Sequence, residues 1–455
     1  MTSRAQHPIE TPRRDHLIVL ACLAPIIGGA SGLVGALFRL ALEAAARLRA
    51  DLLAWAHPLG AAGFLILVAG AAGAVSLAAA LVNRLSPHAS GSGIPHVEAV
   101  IAEELPPAPP SLVIVKFVGG VLAIGAGLAL GREGPSVQMG AGVANLVGRV
   151  FRRNWADCRV LIAAGAGAGL ATAFNAPIAG AVFVLEELVR RFEPRIAIVV
   201  LSASASAISV ARMLLGNAPD FVVSASDPGN PAIHLLYGLF GLVAGLAGIA
   251  HNRAILGGLQ LAGRLAPVPV EARAAVIGAG VGVLAWFLPD MVGGGDPITQ
   301  RALLGEPALA MIPLVLLLRL ALGSVSYAAG TPGGLFAPML VLGAWLGLGS
   351  GKVLAATIPW LGIEPQAFAV VGMAALFAGA VRAPLTGIVL VTEMTGAVDL
   401  LLPMLGACFG AMLVPSLLGD RPIYEALRDA TLARDADWRA RLALSSERRR
   451  RRAGI

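Results

Sequence analysis

Apolar residues run in long blocks along this chain, separated by short polar breaks. The blocks lie at roughly 17–48, 60–83, 111–130, 160–185, 196–216, 235–250, 274–289, 310–329, 335–350, 367–380, 384–396 and 400–418. A helix that crosses the hydrocarbon core needs about 20 such residues. Several blocks are shorter, or are interrupted by Gly and Pro. The pattern therefore predicts an all-α polytopic membrane protein with many tilted, broken and re-entrant helices. The connection 217–234 is polar, with three prolines and two aspartates. It divides the chain into a short N-terminal segment (1–16), a first membrane repeat (17–216), a linker (217–234), a second repeat (235–424) and a basic tail (425–455).

Composition agrees. Hydrophobic residues make up 57% and charged residues 13%, with a mean hydropathy of +0.80. Soluble domains carry about 25% charged residues. The three cysteines, Cys22, Cys158 and Cys408, are far apart and suggest neither a disulfide framework nor a metal site. No metal and no cofactor is expected. Residues 1–14 are polar and basic and lead into a long apolar block, which reads as a first transmembrane helix and not a signal peptide.

The net charge of +7 is unevenly spread. Arginines cluster at positions 4, 13 and 14, at 149, 152, 153 and 159, at 190, 191 and 195, and at 448–452. The positive-inside rule puts these segments, and so both termini, in the cytoplasm. The terminal arginine run reads as a topology signal or a contact with anionic lipid. It lacks interleaved aromatics, so a nucleic-acid partner is not expected.

Gly131-Arg132-Glu133-Gly134-Pro135 is the most informative segment. It puts a carboxylate after an uncharged, membrane-like run, and a carboxylate at that depth marks a functional site by default. The glycines and proline disfavour a regular helix there, which leaves backbone N–H groups free to face a ligand.

The chain also repeats itself. Ala176 to Glu186 resembles Ala383 to Glu393 at an offset of 207 residues. Gly91-Ser92-Gly93-Ile94-Pro95 resembles Gly293-Gly294-Gly295-Asp296-Pro297 at an offset of 202. Gly134-Pro135 has a looser counterpart in Gly333 to Pro338. Two halves with Gly/Pro breaks at matching places point to a transporter with a site near the membrane midplane.

The motifs 91–95, 131–135 and 334–338, followed by Tyr424 after the last block, stand in the order seen in the CLC family of chloride channels and proton/chloride antiporters. The chain resembles that family from about His16 to Ala433. The resemblance implies two inverted-topology repeats, a homodimer with one pathway per subunit, and exchange of chloride for protons; a passive chloride channel is the alternative. It makes Glu133 an outer gate and proton carrier. It makes Glu187 the inner proton-transfer group, with Glu186 as an assistant where protons enter. Ser92, Gly93, Ile94, Arg132, Gly134, Leu335, Phe336 and Tyr424 become the anion site. Lys116, Glu98 and Glu393 match buried charged positions and read as structural, with Glu98 a candidate partner for Lys116. A bacterial inner membrane is the implied location.

Blander readings stand beside these. Ser92 could cap a helix starting near Pro95. Tyr424 could be an interfacial belt residue. Phe336 could be core packing. Glu186 and Glu187 could pair with Arg190 and Arg191 at i+3 and i+4. Against the bland set, helix N-termini offer about half a charge and free donors to an anion.

The chain departs from the family at two places. His96 stands where many relatives carry an acid, which adds potential pH sensitivity, and Ser136 where threonine is frequent. Ser92 argues against a nitrate-preferring variant, and the Gly-Arg-Glu-Gly-Pro pattern against a fluoride exporter. The residues after Tyr424 are too few for paired nucleotide-binding regulatory domains, so a prokaryotic type is expected. No hydrolase motif and no phosphate-binding loop occurs, which disfavours an enzyme or an ATP-driven pump.

Overall fold

The computed structural model describes residues 14–225 and 229–435. The arginine run 448–452, most of the basic tail, and Arg4 and Arg13 lie outside the described residues.

Among the described residues, sixteen α-helices form two sets of eight. The first set is α1 (Arg14–Ala56), α2 (Ala61–Leu85), α3 (Ile94–Ile101), α4 (Ser111–Gly125), α5 (Glu133–Val150), α6 (Trp155–Phe174), α7 (Pro177–Phe183) and α8 (Pro194–Leu215). The second is α9 (Pro231–Arg264), α10 (Val270–Phe287), α11 (Asp296–Leu303), α12 (Ile312–Ala328), α13 (Phe336–Thr357), α14 (Pro365–Val381), α15 (Pro384–Thr395) and α16 (Leu401–Leu417). A further helix, α17, covers 423–435. Among the described residues, nine helices are long and apolar enough to cross a membrane. At 43 residues, α1 is about 65 Å long, twice the hydrocarbon thickness, so it runs obliquely. The eight-residue helices α3 and α11 are too short to span.

The two sets pack alike. In the first, α1 packs on α8 and α6, and α5 on α6; in the second, α9 packs on α16 and α14, and α13 on α14. The halves meet through equivalent elements, α2 against α10 and α7 against α15. Such self-matched contacts are those of a two-fold axis, and the repeats are inverted.

Small residues make the packing close. A Cβ at Gly140 (α5) would strike the Gly165 carbonyl of α6, and one at Gly343 (α13) would strike the Gly372 carbonyl of α14. These are matching positions in the two halves. Close backbone approach of this kind is how membrane helices associate without a hydrophobic drive between them.

The apolar block 160–185 is split in two. Asn175 adopts a left-handed conformation (φ 51°) at the end of α6, and Pro177 opens α7. Arg382 (φ 71°) does the same between α14 and α15. The glycine motif behaves differently from the expectation of an irregular stretch throughout. Glu133 is already the first helical residue, with Gly134 and Pro135 in the first turn. A proline is tolerated there because first-turn N–H groups have no intrahelical acceptor.

Candidate functional site

Three glycine motifs are tied together by backbone. Gly91 N–H donates to Thr331 O at 3.0 Å, and Gly333 N–H to Gly91 O at 3.1 Å. Gly131 and Gly334 exchange both bonds, at 2.9 and 2.7 Å. The starts of α3, α5 and α13 are thereby gathered around one buried spot. Their N–H groups carry partial positive charge.

Glu133 opens α5, is fully buried, and accepts a hydrogen bond from Ala337 N–H in the first turn of α13. Its carboxylate lies over Gly131 and against Gly334, where a Cβ would collide with it. Its Oε2 has no hydrogen-bond partner. A carboxylate from one repeat thus sits on the helix N-terminus of the other. Leu335 and Phe336 form that terminus, Leu335 being the residue before the helix.

Ser92 and Tyr424 lie beneath. Ser92 is 1% exposed and Tyr424 fully buried, and apart from one another their hydroxyls have no hydrogen-bond partner. Tyr424, in α17, lies toward Ser92 and within electrostatic reach of both Glu133 and Glu187. Ser92 does not cap α3: Gly93, at φ 90°, precedes the helix, and no side-chain cap forms. Ile94 is its first residue, and Gly134 packs so closely on Ser92 that a Cβ would overlap the Ser92 oxygens. Burial also rules out an interfacial position for Tyr424. The Phe336 ring packs against Phe174, Phe183, Phe377 and Tyr424, so its side chain is core while its backbone faces the site.

Arg132 turns away from its neighbour Glu133. Its guanidinium bonds Ala173 O at 2.8 Å and pairs with Asp220 at 3.1 Å and Asp296 at 3.4 Å. Any part of Arg132 in an anion site is therefore its backbone.

Glu187 lies on a π turn, Val184–Leu188, that closes α7. π turns are rare and recur at functional sites. Glu187 is 4% exposed, pairs with Arg190 at 3.6 Å, and borders an open vestibule of about 410 Å³ with Glu186, Arg382 and Pro422. Arg190 also reaches Glu98 at 3.4 Å, and Arg428 of α17 joins Glu98 at 2.9 Å. Glu186 points elsewhere, to Leu385 N, Thr386 N and Thr386 Oγ1. Glu393 caps α7 through Ile178 N and Ala179 N.

The expected pair of Lys116 with Glu98 does not form. Lys116 is fully buried and donates to the carbonyls of Ala89 and Gly91 at 3.0 and 2.7 Å. Its helix faces the 89–91 turn, whereas Glu98 lies a turn into α3, against two arginines. Sequence reasoning missed the counterpart of Lys116, Arg319, which donates to Met291 O, Gly293 O and Gly294 O. The signal was present: Arg319 lies 203 residues after Lys116 in an equally apolar helix. Asp220 was also missed, being hidden in the polar linker. Among the described residues no cluster of His, Cys, Asp and Glu suits a metal ion.

The sequence profile described as Voltage gated chloride channel matches residues 73–416. The chain belongs to the voltage-gated chloride channel family. Within it, the chain is 36% identical over 431 residues to the H(+)/Cl(-) exchange transporter ClcA of Vibrio parahaemolyticus, covering 91% of this chain and 90% of that protein. The ClcA of Salmonella paratyphi B is 34% identical, with 97% of each chain covered. Among solved structures, a slow cyanobacterial Cl-/H+ antiporter superposes with a TM-score of 0.87 at 32% identity, covering 94% of this chain and 99% of that one. A CLC-type fluoride/proton antiporter shares the fold at a TM-score of 0.78 and 24% identity, covering 91% of this chain and 98% of that one.

Proposed function

We propose that this protein is a secondary active transporter that exchanges chloride for protons, with the Glu133 carboxylate competing with chloride for one anion site. The observation that carries the reading is the position of that carboxylate. It occupies the N-terminus of α13, where a free anion would bind. Ionised, Glu133 fills the site. Protonated, it has no charge to hold it there, and chloride takes its place. A proton picked up on one side is then carried as the anion leaves.

Bringing a bare anion into a low-dielectric core costs several kcal/mol. Helix ends at Gly93–Ile94, Arg132–Gly134 and Leu335–Phe336, with the buried hydroxyls of Ser92 and Tyr424, offset that cost. None is a full positive charge in the site, so the ion can leave. Glu187, buried beside an open vestibule, takes protons from the other side, with Glu186 at the rim. A passive channel would have no task for Glu187. The names of the ClcA relatives, and the cyanobacterial antiporter, support exchange.

Lys116, Glu98 and Glu393 hold structure. The protein works as a homodimer in a bacterial inner membrane, one pathway per subunit, with both termini and the Glu187 vestibule in the cytoplasm. It moves ions and catalyses no covalent step.

The test is joint measurement of chloride and proton flux in liposomes. A chloride gradient should drive protons uphill in the opposite direction at a fixed ratio. Chloride movement with no proton movement would make the protein a channel.

A further inference from the structure

The linker between the repeats crosses the fold beside Glu133 and is pinned there at several points. Ala218 O accepts from Asn175 at 3.1 Å. Phe221 N–H donates to Met394 O at 3.0 Å. Val222 and Gln300 exchange two bonds, at 2.9 and 2.8 Å. Between these anchors stands Asp220, whose side chain is 4% exposed. It pairs with Arg39 of α1 at 2.8 Å and with Arg132, the residue that precedes α5, at 3.1 Å.

We propose that Asp220 is a positioning residue for the gate: from the linker it holds the Arg132 guanidinium, and its charge sets how readily Glu133 takes up a proton. This rests on the exchange reading above. Arg132 pairs with Asp220 and Asp296 and lies within electrostatic range of Glu133 and Glu43. Arg132, Asp296 and Tyr424 lie within electrostatic range of Glu133. The positive charge beside the gate is thus balanced by two aspartates, of which Asp220 is the buried one; Asp296 is half exposed. A nearby negative charge disfavours ionisation of a carboxyl group, and a positive one favours it. Arg39 matters because it in turn offsets Asp220. Arg132 stays fixed by Ala173 O and Asp296 when Asp220 loses its charge, so the electrostatic effect is separable from collapse of the helix start.

The test is the rate of chloride exchange against symmetric pH in liposomes. Asp220→Asn removes a negative charge, so half-maximal rate should need about threefold more protons, an acid shift of about half a pH unit. Arg39→Gln leaves Asp220 less compensated and should shift the profile the other way. Both variants should keep the proton-to-chloride ratio. Both shifts should disappear when combined with Glu133→Gln. Shifts in the same direction, or shifts that survive Glu133→Gln, would overturn the proposal and leave Asp220 a plain structural pair. If Asp220→Asn does not fold, the sign of the Arg39→Gln shift decides alone. Should Glu133→Gln by itself keep the normal pH profile and coupling, the gate assignment fails, a different result from either.

Discussion

Glu186 and Glu393 hold each other's helices. Glu186, at the end of α7, accepts from Leu385 N and Thr386 N at 3.1 and 2.7 Å, at the start of α15. Glu393, at the end of α15, accepts from Ile178 N and Ala179 N at 3.1 and 2.7 Å, at the start of α7. Each repeat thus supplies the other with the anionic cap its Pro-initiated helix lacks. A carboxylate at a helix N-terminus contributes about 0.3–1 kcal/mol, and up to about 2 when partly buried. Glu393→Ala should therefore lower stability by about 1–2 kcal/mol without changing the proton-to-chloride ratio. Thermal unfolding in detergent, with flux on the surviving protein, measures both. A changed ratio at unchanged stability would put Glu393 in the transport pathway.

Lys116 and Arg319 form a second matched pair, each collecting the carbonyls of the turn before a short helix. Lys116→Met leaves Ala89 O unpaired, since Gly91 O keeps Gly333 N–H, while Arg319→Met strips the carbonyls of Met291, Gly293 and Gly294. Each buried group left unpaired costs about 1–3 kcal/mol. Lys116→Met and Arg319→Met should both lower the unfolding temperature, Arg319→Met by more. An unchanged unfolding temperature for Arg319→Met would show that these carbonyls do not depend on the guanidinium.

Tyr424 supplies both a hydroxyl and a ring. Tyr424→Phe keeps the contact with Phe336, 5.9 Å between centroids, and removes only the donor. Fewer protons should move per chloride, and chloride should bind more weakly in isothermal titration. Unchanged binding and coupling would reduce Tyr424 to packing.

Glu187→Gln keeps the shape of the side chain but cannot titrate. Chloride should still move, and proton transport should fall below detection. Chloride flux should keep its pH dependence, because Glu133 is intact. If protons still move at the normal ratio, they enter by another group, and Glu186 becomes the first to test.

Much of this was legible in the sequence, for physical reasons. A carboxylate in an apolar run is too costly to be accidental, so Glu133 stood out, whereas Glu187 and Lys116 were picked out through the family resemblance. Glycine and proline breaks repeat at a near-constant offset, so the two halves could be seen before their packing. Partners were harder. Lys116 takes carbonyls, and backbone groups leave no mark in sequence. Glu186 reads as one of two adjacent acids, yet Glu187 faces Arg190 while Glu186 turns to Thr386; a π turn separates their directions, and no residue pattern announces it. Asp220 sits among ordinary linker residues, and only the folded chain brings it to Arg132.

The central claim is that the Glu133 carboxylate and chloride take turns at one place. Proton and chloride flux measured together in liposomes containing Glu133→Gln tests it most directly. The amide mimics a gate that is always protonated and cannot carry charge into the site. Chloride should continue to flow, its rate should no longer depend on pH, and a chloride gradient should drive no protons. Uphill proton movement driven by chloride in that variant would contradict the gate and the exchange mechanism built on it.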